Sequence, residues 1–284
     1  MEAYETIYFL LPMNVYEKQL KTRYGYAAPP ETLLNHTVTH TSRNMPDTEN
    51  AIGVDACPEG WFVTVLTGDE IETNLYEDFA EIHSEHQAGR VFVDIPIGLP
   101  TGSRRRCDIA ARELLGCRGN SVFFPPCESA LTGEDYDEAN ETHRDEMGHG
   151  LSQQAHAISD KIEEVREVVD ETYDGPIYES HPELCFYAFN GQPIAYSKSA
   201  KRGLAFRRRL LAEEHPGIDD EYEQVLANTF RKNIRRDDVL DSMVLALAAE
   251  RDKLQSVPES PEPDTPRIYY PTTPAISENP QGGL

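Results

Sequence analysis

The chain has 284 residues and 39% apolar content, enough to bury one sizeable core and so to build one main domain with flanking segments. Its 50 Asp and Glu stand against 26 Lys and Arg, giving a net charge of −24, and the basic residues are 19 Arg to 7 Lys. That balance excludes a broadly basic, nucleic-acid-coating surface but not a local basic cleft; it also suits a protein kept hydrated in concentrated salt, so a halophilic cytoplasm is the expected setting.

Five cysteines without a C-x-x-C pair exclude a disulfide framework and a zinc ribbon. The apolar run from Ile7 to Met13 is short, interrupted by Pro12 and preceded by acids, so neither a signal peptide nor a membrane span is expected.

Residues 1–50 have little periodicity, a Pro29-Pro30 pair and a polar tract, and are read as a loosely ordered extension, with Met45 a second candidate start. The domain is expected over 51–257. Ala51–Val54 and Trp61–Leu66 are strand-like runs around the turn Cys57-Pro58-Glu59-Gly60, which predicts a hairpin; Glu70–Tyr76 is a weaker third strand. A helix over Glu77–Gln87 leads to Val91-Phe92-Val93, a buried parallel strand ended by Asp94 and Pro96. Arg104–Leu115 is the next helix, stopped by Gly116.

Leu151, Ala155, Ile158, Ile162, Val165 and Val169 recur at threes and fours and predict one amphipathic helix. Ile177-Tyr178 is a strand with Glu179 at its exit, and Pro182 opens a helix that stops near Gly191. Helices over Ser199–Glu214, Asp220–Phe230 and Asp238–Lys253 follow, the last with an apolar face suited to a sheet. Residues 258–284 read as a proline-rich linker, a short strand at 267–270 and a tail. The order predicts an α/β fold with a mixed sheet, whose sites form beyond the carboxyl ends of the parallel strands.

Acids stand at element boundaries: Asp55 after the first strand, Asp94 after the fourth, Glu179 after the fifth, and Asp238 and Asp241 on one face of the last helix. Carboxylates from remote segments repel unless a cation holds them, and hard divalent cations favour oxygen ligands, so Mg²⁺ or Mn²⁺ is the cofactor this pattern suggests. Among so many acids, surface placement competes with that reading, and Asp237 and Asp238 also suit a helix cap. Of the 26 basic residues, 15 fall in three windows: 104–118, 198–209 and 231–236. The first follows the loop after Asp94, where its arginines could grip phosphate, while pairing with surface acids is the alternative, favoured for the other two windows. His181, before a helix-opening proline, reads as a cap or a proton carrier, and no glycine-rich phosphate loop is present.

The segments Gly53–Trp61, Asp94–Pro100, Arg106-Cys107-Asp108 through Arg112 to Arg118, Ser121-Val122-Phe123, Glu179–Glu183 and Asp237–Asp241, in that order, resemble domain of unknown function family 429, a group of predicted nucleases with a ribonuclease H-like fold. The resemblance implies a five-stranded central sheet, its first three strands antiparallel, flanked by helices, with acids of the first strand, fourth strand and last helix at one edge. On this chain those are Asp55, Asp94 and Asp238 or Asp241, with Glu179 a further ligand candidate. Ala56 and Glu59 stand where the family commonly has glycine, so the turn after Asp55 is expected to differ.

The implied activity is phosphodiester hydrolysis with two Mg²⁺ or Mn²⁺ ions about 4 Å apart. Asp55 would bridge them, Asp94 and Asp241 would hold one each, and Arg106 or Arg112, with Arg118 and His181 nearby, would steady a nucleic-acid substrate. DNA, RNA and branched substrates stay equally open, as does the oligomeric state. A phosphotransferase or ATPase of the same superfamily, and a non-catalytic nucleic-acid or protein-binding module, are the alternatives.

Overall fold

Apolar side chains that alternate along short β-branched runs bury both faces of a central sheet, and here the two faces close on different helices. The computed structural model describes residues 50–87, 89–169, 176–228, 234–259 and 265–272. The extension expected over 1–50 lies outside these except for Asn50.

Strands β1 (Ala51–Cys57), β2 (Gly60–Thr67) and β3 (Glu70–Tyr76) form an antiparallel meander. The first hairpin turn is tighter than the sequence suggested: Cys57 pairs with Gly60, leaving Pro58-Glu59 between them. Asp55 therefore lies inside β1, opposite Phe62, and not after the strand as expected. Helix α1 (Phe79–Glu85), capped by Asp78, crosses to β4 (Arg90–Val93), which pairs parallel with β1, and β5 (Ile177–Glu179) pairs parallel with β4. The result is a mixed five-stranded sheet of order β3-β2-β1-β4-β5 with flanking helices, an α/β fold.

One face of the sheet buries Ile52, Val54, Val63, Val91, Val93 and Ile177 against Phe79 and Ile82 of α1 and Ile162 and Val165. The segment supplying those last two departs from the single helix expected over 151–169. Ser152 caps a short helix, α4 (Gln153–His156), and a second, α5 (Ser159–Val168), begins after Ile158 at φ −109°, ψ 8°. Before them, α2 (Arg106–Leu115) and α3 (Tyr136–Met147) flank two 3₁₀ turns. The pattern of apolar residues did not announce α3, because only Ala139, His143 and Met147 are buried in it; its signal is the Asp135 cap, which accepts from Glu138 N–H.

The other face buries Phe62, Leu66 and Phe92 against α9 (Arg236–Glu250). Helices α6 (Pro182–Asn190), α7 (Lys201–Glu214) and α8 (Ile218–Asn228) cover the far side of α9. It is thus a central helix buried all round and not one with a single apolar face. Arg90, 5% exposed, closes its carboxyl end by donating to Ala249 O at 2.7 Å and Arg251 O at 2.9 Å. A second sheet, β6 (Leu254–Val257) with β7 (Ile268–Pro271), returns the chain to the core through a bridge between Tyr269 and Ser180. No helix among the described residues is long and apolar enough to cross a membrane.

Candidate functional site

Parallel register places the first two aspartates side by side. Val54 pairs with Val93, so Asp55 and Asp94 each follow one member of the pair, and Asp94 N–H donates to Val54 O at 3.1 Å. Strand alternation puts both on the α9 face: Asp55 keeps step with Gly53, and Asp94 with Phe92. Gly53 lets α9 close in. A Cβ there would lie 2.0 Å from Ser242 O, so only glycine permits this approach. Ser242 Oγ then donates to Gly53 O at 2.9 Å and meets Thr64 Oγ1 at 2.8 Å, which holds the first half of α9, with Asp238 and Asp241, over the end of β1.

Three of the four carboxylates sit in low dielectric: Asp55 is 7% exposed, Asp238 6% and Asp241 1%, and Asp94 is half-buried. Burial, then Asp241 and Asp94, pushes Asp55 well above the usual carboxylate range. Burial lifts Asp241 to about 6, although the Lys198 ammonium opposes it. Asp238 is raised by burial and steadied by Arg235 N–H at 3.0 Å, so it closes the start of α9 as a cap. Among the described residues no hydrogen-bond donor meets the Asp55 or Asp94 carboxylates. Among the described residues the cation paired with the cluster is Lys198, whose Nζ lies 2.6 Å from Asp241 and 4.0 Å from Asp237. Asp241, against the cost of burial and with help from Asp55 and Asp94, holds that ammonium well above the ordinary lysine value.

The remaining predicted residues are not brought to this cluster. Glu179 keeps step with Ile177 and so faces the opposite side of the sheet, where Arg105 grips it at 2.7 and 2.9 Å and Ile97 N–H donates at 2.9 Å. The same guanidinium holds Asp108 at 2.5 and 2.9 Å. Arg118 donates to Glu183 at 2.9 Å, which also takes the fully buried Arg207 at 2.6 Å. Arg112 is spent on Val122 O and Asn120 and lies over the Phe124 ring. His181 caps α6 through Nδ1, which accepts from Glu183 N–H at 3.1 Å, with Nε2 turned to Ser121 O. Arg106 is exposed at the start of α2.

Two residues that matter were not singled out by the sequence. Arg105 was one of three consecutive arginines, indistinguishable from its neighbours, and Lys198 lay in a window read as surface pairing. No local pattern marks either.

The all-oxygen donor set of Asp55, Asp94, Asp238 and Asp241 suits a hard divalent ion, and two donor-free carboxylates beside buried like charges are what such an ion would relieve. Among the described residues, the group of three potential ligands with atoms all within 4.8 Å of one another is instead Cys107, Asp108 and Glu179. Arg105 already pairs with both of its carboxylates. No three of the aspartates form such a group among the described residues.

Fold and site thus define an α/β protein whose mixed sheet gathers aspartates at the carboxyl ends of adjacent parallel strands. The chain belongs to the family described as "Protein of unknown function (DUF429)", whose model matches residues 53–263. No curated protein and no solved structure matches it significantly.

Proposed function

We propose that the chain is a divalent-metal-dependent nuclease on a ribonuclease H-like scaffold. The observation that carries this reading is the pair of donor-free carboxylates, Asp55 and Asp94, under the buried Asp241 at the end of β1 and β4. A bare carboxylate in low dielectric, as Asp55 is, raises the free energy of the folded chain unless protons or cations compensate, and the half-buried, donor-free Asp94 beside it adds to the case for a cationic ligand. The sheet order, with three antiparallel strands followed by two parallel ones, agrees with that scaffold.

Asp55, Asp94 and Asp241 would hold Mg²⁺ or Mn²⁺, with Asp238 beside them. When bound, such ions supply an activated water and neutralise the leaving oxygen of a phosphodiester. This chain's own residues do the rest: the sheet fixes Asp55 and Asp94 in register, α9 sets Asp241 above them, and Lys198 places a positive charge at the rim where a phosphate would approach. Arg106, outside the cluster and exposed at the start of α2, would reach only flanking parts of the substrate backbone.

A cleavage panel on single-stranded, duplex and branched DNA and RNA, with Mn²⁺ in molar KCl, tests this. Asp55→Asn should lose at least about a hundredfold in rate while keeping its circular dichroism spectrum. Undiminished cleavage by that variant would sink the proposal. The Lys198–Asp241 pair favours a second reading, a binding module needing no metal, because it already neutralises one carboxylate. Absence of Mn²⁺ binding by calorimetry would select it.

A further inference from the structure

We propose that the face of α7 carrying Arg202, Phe206 and Arg209, together with Tyr196 of the loop before it, is a docking platform for single-stranded nucleic acid. It rests on the reading of the aspartate cluster as a phosphodiester site, and it names the form of substrate that site would receive.

Single strands are held by aromatic rings on which bases stack, set among cations that follow the phosphates. Both occur here. Tyr196 is 48% exposed, rare for so large a ring, and its centroid lies 6.5 Å from that of Phe206. The Arg209 guanidinium covers the Phe206 ring at 5.2 Å, is 68% exposed, and lies 3.8 Å from Glu213, so Arg202 is the cation of this group without an acid among the described residues. Tyr196, Phe206, Arg209 and Arg202 line an open, shallow hollow of about 430 Å³. Across Ala205 the surface continues into a second hollow of about 270 Å³ that includes Lys201 and Arg236.

Charge selects the partner. In a chain of net charge −24, Lys201, Arg202 and Arg236 are exposed and make no ion pair among the described residues. Arg208, beside them, is taken by Asp219 and Glu223. Cations left without acids in so acidic a protein fit a polyanion. Stacking also persists at ionic strengths that erode phosphate contacts.

The platform is fixed and adjoins the site. Buried Arg207 donates to Tyr196 O at 3.2 Å while holding Glu183, and a Cβ on Gly203 would lie 1.9 Å from Ser197 O, so the 196–200 loop is pinned on the first turn of α7. Lys198, two residues from Tyr196 and hence within about 7 Å along the chain, touches Asp241. A strand stacked on Tyr196 would therefore lie against the loop whose Lys198 reaches Asp241.

The test is fluorescence anisotropy of the full chain in EDTA, with labelled oligothymidylate and oligouridylate of roughly 15 nucleotides, a matching duplex and an oligoglutamate peptide. The platform requires single strands to bind more tightly than duplex or peptide. Tyr196→Ala and Arg202→Glu should each weaken that binding about fivefold or more, and Tyr196→Phe should restore it. Absence of oligonucleotide binding, unchanged binding by Tyr196→Ala, or preference for the peptide would overturn it. Asp55→Asn separates the two claims. If that variant loses cleavage while Tyr196→Ala binds normally, only the platform falls; if cleavage survives in it while single-strand binding depends on Tyr196, only the nuclease reading falls.

Discussion

Aspartate chemistry in this protein turns on which side chain each carboxylate meets. Glu179 and Asp108 are buried and share Arg105, and breaking such a network by removing the cation costs about 3–5 kcal/mol, so that trio reads as structural. Among the described residues Asp55 and Asp94 meet no donor, and Asp241 meets only Lys198. The consequence is measurable. Asp241 titrates near 6 in the folded chain and near 4 when unfolded, so between those values the folded form binds more protons and stability falls as pH rises. Asp55 and Asp238, also raised, act in the same direction, so Asp241's own share of about 2–3 kcal/mol in metal-free protein should be read as the reduction of that limb in Asp241→Asn, by urea unfolding from pH 4 to 7 in constant high salt. A limb of equal size in the variant would show that another group causes it.

Elements, not loops, set the spacing of the cluster, and the critical contact is between α9 and β1. Because the atoms facing Gly53 are backbone, Ser242 O at 2.0 Å and Ala246 N at 2.3 Å, no rotamer change can make room for a side chain. Gly53→Ala should therefore destabilise the fold by about 3 kcal/mol or more and lift Asp241 away from Asp55. Any folded remainder is expected to have weakened Mn²⁺ binding by calorimetry. Wild-type stability in that variant would mean that α9 sits further from the sheet. The contrast with α4 and α5 is instructive: their apolar repeat is continuous, yet Ser152 and the non-helical Ile158 divide the segment, since capping and backbone geometry act where periodicity carries no information.

At the scale of the whole molecule, 50 acids against 26 bases create a self-repulsion that salt relieves. The screening length falls from about 10 Å at 0.1 M to about 3 Å at 1 M, so thermal stability should climb across that range, each kcal/mol appearing as roughly 2–4 °C for a domain of this size. A melting temperature flat in KCl would remove the argument for a salt-rich setting. The tail also belongs to this scale: β7 lies beyond the proline-rich stretch in sequence yet packs beside β5, so the core is completed from the far end of the chain.

Several features were legible in the residues alone. The β1–β2 hairpin, the apolar β4, and the Pro182 start and Gly191 stop of α6 follow from local chemistry, because alternation, turn residues and caps act over a few positions. What only the tertiary structure decided was company. Glu179 looked equivalent to Asp94 as an acid ending a parallel strand, yet one residue of register turned it to the opposite face and into Arg105. Lys198 became the counterion of Asp241 across 43 positions of sequence. Side-chain partners so far apart are chosen by how elements pack, and packing is a property of the whole chain that no short window contains.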